Sequence, residues 1–191
     1  MHSMLEEFQI VGRDLFLAGL NNSHSGNLSA RLGDRLLITR RGAMLGRLRE
    51  EDLIETGLWE NDNNTSLAST EIGVHRSIYQ NTPALAIVHA HPVQAIALSL
   101  LEDEIVPIDA EGSFYFDKIP VLKAEQTIGS LEVEAKLPKM LLENKIAMLR
   151  GHGSFAAGKN LEEAYHWTTS LGNICRIICL HKLLKNQVAH R

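Results

Sequence analysis

The spacing of apolar positions changes several times along the chain. Met4, Phe8, Val11, Leu15 and Ala18 recur three or four residues apart, which predicts a helix, and Gly19 follows where a helix commonly stops. Leu28, Ala30 and Leu32 then alternate with polar residues. Gly33-Asp34 suits a two-residue turn, and residues 36–39 return as a second strand, so a β-hairpin is predicted. DLIETGLW predicts a further strand and ENDNNTS a polar loop. STEIGVHRSIYQNTP opens on capping residues and closes on Asn-Thr-Pro, predicting a helix over about residues 70–80. ALAIVHA reads as a strand, and Pro92 fits the first turn of a helix reaching about residue 101. EIVPI and KIPVLK predict short strands. A helix is predicted over about residues 129–143, with Pro138 expected to break or kink it. IAMLRGHGSFAAG reads as strand, tight glycine turn, strand. Leu161, Ala164, Thr168, Leu171, Cys175 and Ile178 keep helical spacing to the C-terminal part. No repeat or low-complexity segment interrupts this order. It predicts one α/β domain over residues 1–191, with a mostly antiparallel sheet covered by helices.

Composition agrees with one domain: the chain has 191 residues, of which 45% are hydrophobic. A formal net charge of −4 gives no electrostatic case for nucleic acid or an acidic membrane. No apolar run approaches the roughly 20 residues a membrane helix needs. Glu6, Glu7 and Arg13 interrupt the N-terminal stretch, so no secretory signal is expected and a cytoplasmic location is. The two cysteines, Cys175 and Cys179, lie four apart on the last predicted helix and read as core residues, not as a disulfide.

Candidate chemistry begins at AIVHAHP. Alternation along a strand puts His89 and His91 on one face at its end. Two such imidazoles can be idle, or half of a metal site. His152, between two glycines in RGHGSFAAG, sits in a turn tight enough to reach a neighbouring strand end, although a polar turn residue needs no such role. Glu71 opens a predicted helix, where an acid is favourable with the helix dipole alone. Together, three neutral imidazoles with an open position make the arrangement a catalytic divalent metal needs, and a nearby carboxylate could ligate it or move protons. His75, four residues after Glu71, shares its helix face; it reads as a residue that orients its neighbours or serves the structure, not as a ligand. The histidines at 2, 24, 166, 181 and 190 lack such company. HSGNLS, ITRRGAMLG and LAST add small residues and donors: Ser25, Gly26, Asn27, Arg40, Arg41, Gly42, Ser69 and Thr70. Such loops can cradle phosphate if they converge, and each is also ordinary turn chemistry.

The ordered set SGNLSARLGDRLLIT, STEIGVHRSIY, AIVHAHPVQAIALS and LRGHGSFAAGKNLEEA resembles the class II aldolase/adducin family, and within it the aldolases that cleave L-fuculose phosphate. The resemblance implies that His89, His91 and His152 bind zinc. It implies that Glu71 is the catalytic acid/base, capping the metal before substrate binds. Gly26, Asn27, Gly42, Ser69 and Thr70 match the positions that hold substrate phosphate. Arg41 stands where such aldolases commonly carry Ser or Thr, and its guanidinium can grip phosphate by charge and paired hydrogen bonds. Tyr115, in EGSFYF, is the candidate for the family's aldehyde-side acid. The C-terminal KNQVAHR lacks the tyrosine some members contribute across a subunit interface.

The implied activity is reversible cleavage of L-fuculose 1-phosphate, or a similar ketose 1-phosphate, to dihydroxyacetone phosphate and an aldehyde through a metal-held enediolate. The implied fold is a single-domain α/β/α layered fold with a central, mostly antiparallel sheet, and the implied assembly is a homotetramer. A ribulose-phosphate 4-epimerase and a methylthioribulose-phosphate dehydratase share the scaffold, so fold alone leaves the reaction open. Two other readings stay open here: an adducin-like interaction module without catalysis, and an iron(II) oxygenase site of two histidines and a carboxylate.

Overall fold

The computed structural model describes residues 3–189, so His2 and His190 lie outside the described residues. The described residues form one eight-stranded sheet in the order β3-β2-β1-β4-β8-β7-β6-β5. The strands are β1 (Asn27–Leu32), β2 (Arg35–Thr39), β3 (Leu53–Gly57), β4 (Ala86–Ala90), β5 (Glu104–Ile105), β6 (Ile119–Leu122), β7 (Ile146–Leu149) and β8 (Gly153–Gly158). Every pairing is antiparallel except β6 with β7. The helices are α1 (Met4–Leu17), α2 (Ile72–Asn81), α3 (Val93–Ser99), α4 (Ala110–Tyr115), α5 (Leu131–Glu143) and α6 (Leu161–Ala189).

Strand alternation divides the core in two. Ala86, Val88 and Ala90 of β4 join Phe8, Leu15, Leu171 and Cys175 under α1 and α6. Ile87 of the same strand joins Val74, Ile78, Leu137 and Phe155 under α2 and α5. Both faces of the sheet are therefore covered, and His89, in phase with Ile87, points to the α2–α5 side.

Four predicted features differ. Residues 110–115, to which the sequence reading assigns no element, form a helix: Asp109 caps it, accepting from the Gly112 N–H at 2.8 Å. EIVPI pairs only through Glu104–Ile105, because Pro107 has no N–H to extend the ladder. Pro138 lies inside an unbroken α5. Its ring removes the bond to the Glu134 carbonyl one turn back, and the Ser77 hydroxyl of α2 donates to that carbonyl instead, at 2.6 Å. The packing of α2 on α5 thus absorbs the break. Pro92 caps α3 rather than entering its first turn. Both cysteines are unpaired thiols, as expected, with Cys175 on the buried face of α6.

Candidate metal centre and anion cleft

The sheet register gathers residues far apart in sequence at one end of three adjacent strands. Asn27 at the start of β1 pairs with His89 near the end of β4, which pairs with Phe155 just inside β8. The segment after β2 reaches the same end, where Arg40 bridges Ala68 and the Ser69 N–H donates to the Thr39 carbonyl at 3.1 Å. A cleft of about 260 Å³ opens there. Gly26, Asn27, Arg41, Gly42, Ser69, Thr70, Glu71, His89, His91 and His152 all line it.

Candidate ligand atoms of His89, His91 and His152 lie within 4.8 Å of one another. His89 Nδ1 is 2.9 Å from the Ser154 carbonyl, which fixes the hydrogen on Nδ1 and leaves the Nε2 lone pair facing the cluster. His91 Nε2 is 3.0 Å from His89 Nε2. Two nitrogens on a tetrahedral ion are about 3.4 Å apart at ordinary zinc–nitrogen lengths. His152 Nδ1 is buried without a hydrogen-bond partner among the described residues. A shared cation would satisfy these lone pairs, so the donor set fits a divalent metal. Burial, joined at His89 by the neighbouring imidazoles and at His91 by His152, holds both below the ordinary histidine range, His91 at about 4; burial lowers His152 as well. All three are therefore neutral and ready to ligate at pH 7.

Two glycines make this convergence possible. A Cβ on Gly153 would run into the His91 ring and the Ala90 carbonyl. Gly26 has φ +77°, and a Cβ there would lie 2.6 Å from the His89 carbonyl.

Glu71 caps α2 rather than lying in its first turn. Its carboxylate stands outside the three-nitrogen cluster and accepts from the Gly129 N–H at 3.2 and 3.3 Å. Burial raises its pKa to about 7, the Gly129 hydrogen bond opposes that rise, and Glu134 adds to it. Arg40 is tied to the Glu51 carbonyl at 3.1 Å, whereas the Arg41 guanidinium has no partner among the described residues.

Two residues singled out in the sequence face elsewhere within the chain. Tyr115 is not brought to this cleft: α4 sets its ring edge-on to His166, at 4.9 Å between centroids, and it lines a separate cavity. His75 does not orient the Glu71 carboxylate. Its ring turns to β1 instead, against Asn27 and Ser29. Sequence reasoning misses Asn21, whose side-chain oxygen accepts from the His91 N–H at 2.9 Å, and also Gly129 and Phe155. Phe155 alone has a readable signal, because it alternates into the same face as the neighbouring strand's apolar residues.

The family profile described as "Class II Aldolase and Adducin N-terminal domain" matches residues 6–179. The chain is similar to the solved L-fuculose-1-phosphate aldolase of Thermus thermophilus, at 37% identity and TM-score 0.90, covering 95% of each chain. It is similar to the L-fuculose phosphate aldolase of Methanocaldococcus jannaschii, 29% identical over 84% of this chain and 87% of that one. It is also similar to a 3-oxo-tetronate 4-phosphate decarboxylase of Haemophilus influenzae, 31% identical over 87% of this chain and 82% of that one. Fold, sequence and the clustered histidines agree, and the chain belongs to the class II aldolase and adducin family.

Proposed function

We propose that this protein is a divalent-metal-dependent aldolase that reversibly cleaves a ketose 1-phosphate, L-fuculose 1-phosphate or a close relative, to dihydroxyacetone phosphate and an aldehyde. The observation that carries the reading is the convergence of three imidazoles and the buried Glu71 in one cleft with the donor-rich loops of Asn27, Arg41, Gly42, Ser69 and Thr70. Similarity to proteins named L-fuculose phosphate aldolase supports the substrate class. The reading takes His89, His91 and His152 as the ligands and zinc as the ion, which an all-imidazole donor set suits. A homotetramer fits the exposure of large apolar side chains such as Phe114 and Leu131, 83% and 81% accessible in the single chain. A cytoplasmic location accords with the unpaired thiols.

A bound divalent cation supplies a Lewis acid that polarises the substrate carbonyl. Glu71, with a pKa near neutrality before metal binds, removes a proton from the carbon beside that carbonyl in the condensation direction and returns it on cleavage. The Gly129 N–H keeps the carboxylate aimed while it changes protonation. Asn27, Arg41, Gly42, Ser69 and Thr70 hold the phosphate, with Gly26 shaping the loop. Their binding energy fixes the reacting carbons without lying beside them.

A second reading has one specific support. The chain also resembles a protein named 3-oxo-tetronate 4-phosphate decarboxylase, and the unpaired Arg41 suits a second anionic group. The deciding experiment incubates metal-loaded protein with fuculose, rhamnulose, ribulose and methylthioribulose phosphates and a 3-oxo-tetronate phosphate. Cleavage, epimerisation, water loss and carbon dioxide release are scored separately. Aldehyde release from a ketose 1-phosphate as the dominant reaction is expected; predominance of any other product overturns the aldolase reading.

A further inference from the structure

Beneath the cleft, four buried polar side chains form an unbroken line from the core to the anion loops. The Tyr79 hydroxyl is 2.6 Å from Ser29 Oγ, Ser29 Oγ is 2.6 Å from His75 Nδ1, and His75 Nε2 is 2.5 Å from Asn27 Oδ1. Helix α2 supplies His75 and Tyr79, four residues apart on one face. Strand β1 supplies Asn27 and Ser29, two apart on one face, so the two periods meet in register. All four are buried, and burial pushes the His75 pKa down to about 3, so its ring is neutral and carries a single N–H.

One hydrogen per link leaves three ways to arrange the line. In one, Tyr79 donates to Ser29, Ser29 donates to His75 Nδ1, and the Nε2–H donates to the Asn27 oxygen. In the second, every donor is reversed, and the phenolic hydrogen of Tyr79 has no acceptor among the described residues; in the third, Ser29 Oγ accepts from both Tyr79 and the His75 Nδ1–H, and its own hydrogen has none. A buried donor without a partner is costly, so the first direction holds. It turns the Asn27 oxygen inward and leaves the amide NH2, which has no protein acceptor among the described residues, for the cleft that Asn27 lines.

We propose that Tyr79, Ser29 and His75 are positioning residues that lock the Asn27 amide with its NH2 toward the cleft. The wall there can then only donate, and it selects a ligand group that can only accept, as a phosphate dianion does. The proposal rests on the reading of this cleft as a phosphate site, and the experiment separates the two.

Binding of inorganic phosphate to metal-loaded protein is measured by calorimetry for wild type, Asn27→Ala, His75→Leu, His75→Gln and Tyr79→Phe. Metal content, KM and kcat are measured alongside. Asn27→Ala should weaken phosphate binding about tenfold, the scale of one lost hydrogen bond to a charged group. His75→Leu should match that loss, raising KM with kcat and metal content held. His75→Gln, which restores an N–H donor near Nε2, should recover most of it. Tyr79→Phe, nearly isosteric, should weaken phosphate binding about threefold, a fraction of one hydrogen bond, and it decides the matter if His75→Leu does not fold. A weakened Asn27→Ala beside an unaffected Tyr79→Phe and His75→Leu overturns the positioning line and leaves the phosphate site standing. An unaffected Asn27→Ala overturns the phosphate role itself, and the proposal with it.

Discussion

His89 lies face to face with Phe155, its register partner on β8, with ring centroids 4.1 Å apart and planes 19° from parallel. The phenyl ring backs one face of the imidazole while the Ser154 carbonyl holds its Nδ1, so Nε2 has one direction left to point. Phe155→Ala removes that backing and opens a cavity in the α2–α5 half of the core. The expected loss is about 3–5 kcal/mol of folding stability, read by denaturant unfolding. Metal affinity should fall about 10- to 100-fold, the usual cost of losing a group that orients a ligand, read by chelator competition.

Glu71→Gln keeps the shape of the side chain and removes its titration. Metal content should match wild type, while exchange of the dihydroxyacetone phosphate carbon-bound proton with solvent should drop by about 10²- to 10⁴-fold. Unchanged exchange would take the proton-moving role away from Glu71.

The same residue sets a stability difference in the metal-free protein. Its pKa is raised from 4.5 to about 7 in the folded chain, chiefly by burial, so the folded state holds a proton that the unfolded state has released between those values. Stability therefore falls as pH rises from about 4.5 to about 7 and stays lowered above that. Glu71→Gln escapes this penalty. It should match wild type below about pH 4.5 and exceed it by about 2–3 kcal/mol above pH 7, measured by urea unfolding of metal-free samples.

Protons compete with metal for the imidazoles. Because burial depresses all three, that competition starts at lower pH than for free histidine. Zinc affinity of the wild-type protein should be flat from pH 8 to about 6 and decline only below that, against an ordinary histidine onset near 6.5. A decline beginning at pH 7 would show the imidazoles to be unshifted.

Arg41 lines the cleft, and its guanidinium has no partner among the described residues. Arg41→Ala should raise KM for the phosphorylated substrate about tenfold, the scale of one charge-assisted hydrogen bond, with metal content unchanged. An unaltered KM would remove Arg41 from the anion site.

Much of this centre is legible in the amino-acid sequence because its parts sit at element ends. His89 and His91 share a face by strand alternation, His152 is pinned between glycines, and Glu71 marks a helix start. What stays hidden depends on which surface lies opposite. The i, i+4 spacing gives the helix face shared by Glu71 and His75 but not the strand that face meets, so it does not reveal Asn27 and Ser29 as the partners of His75. Pro138 carries a real breaking tendency, and only the packing of Ser77 against the freed carbonyl offsets it. Helix α4 spans only residues 110–115, too short for apolar spacing to register, and without it nothing in the sequence turns Tyr115 away from the cleft.

Imidazoles from β4, from its end and from the turn before β8 are expected to hold one ion in common. Equilibrium dialysis of metal-free protein against zinc tests it directly, for wild type and for His89→Ala, His91→Ala and His152→Ala in turn. The predicted result is one tightly held ion per wild-type chain and a loss of affinity of at least about 100-fold in each variant, since a catalytic site has no ligand to spare. Retention of the ion at wild-type affinity by the His152→Ala protein would contradict it.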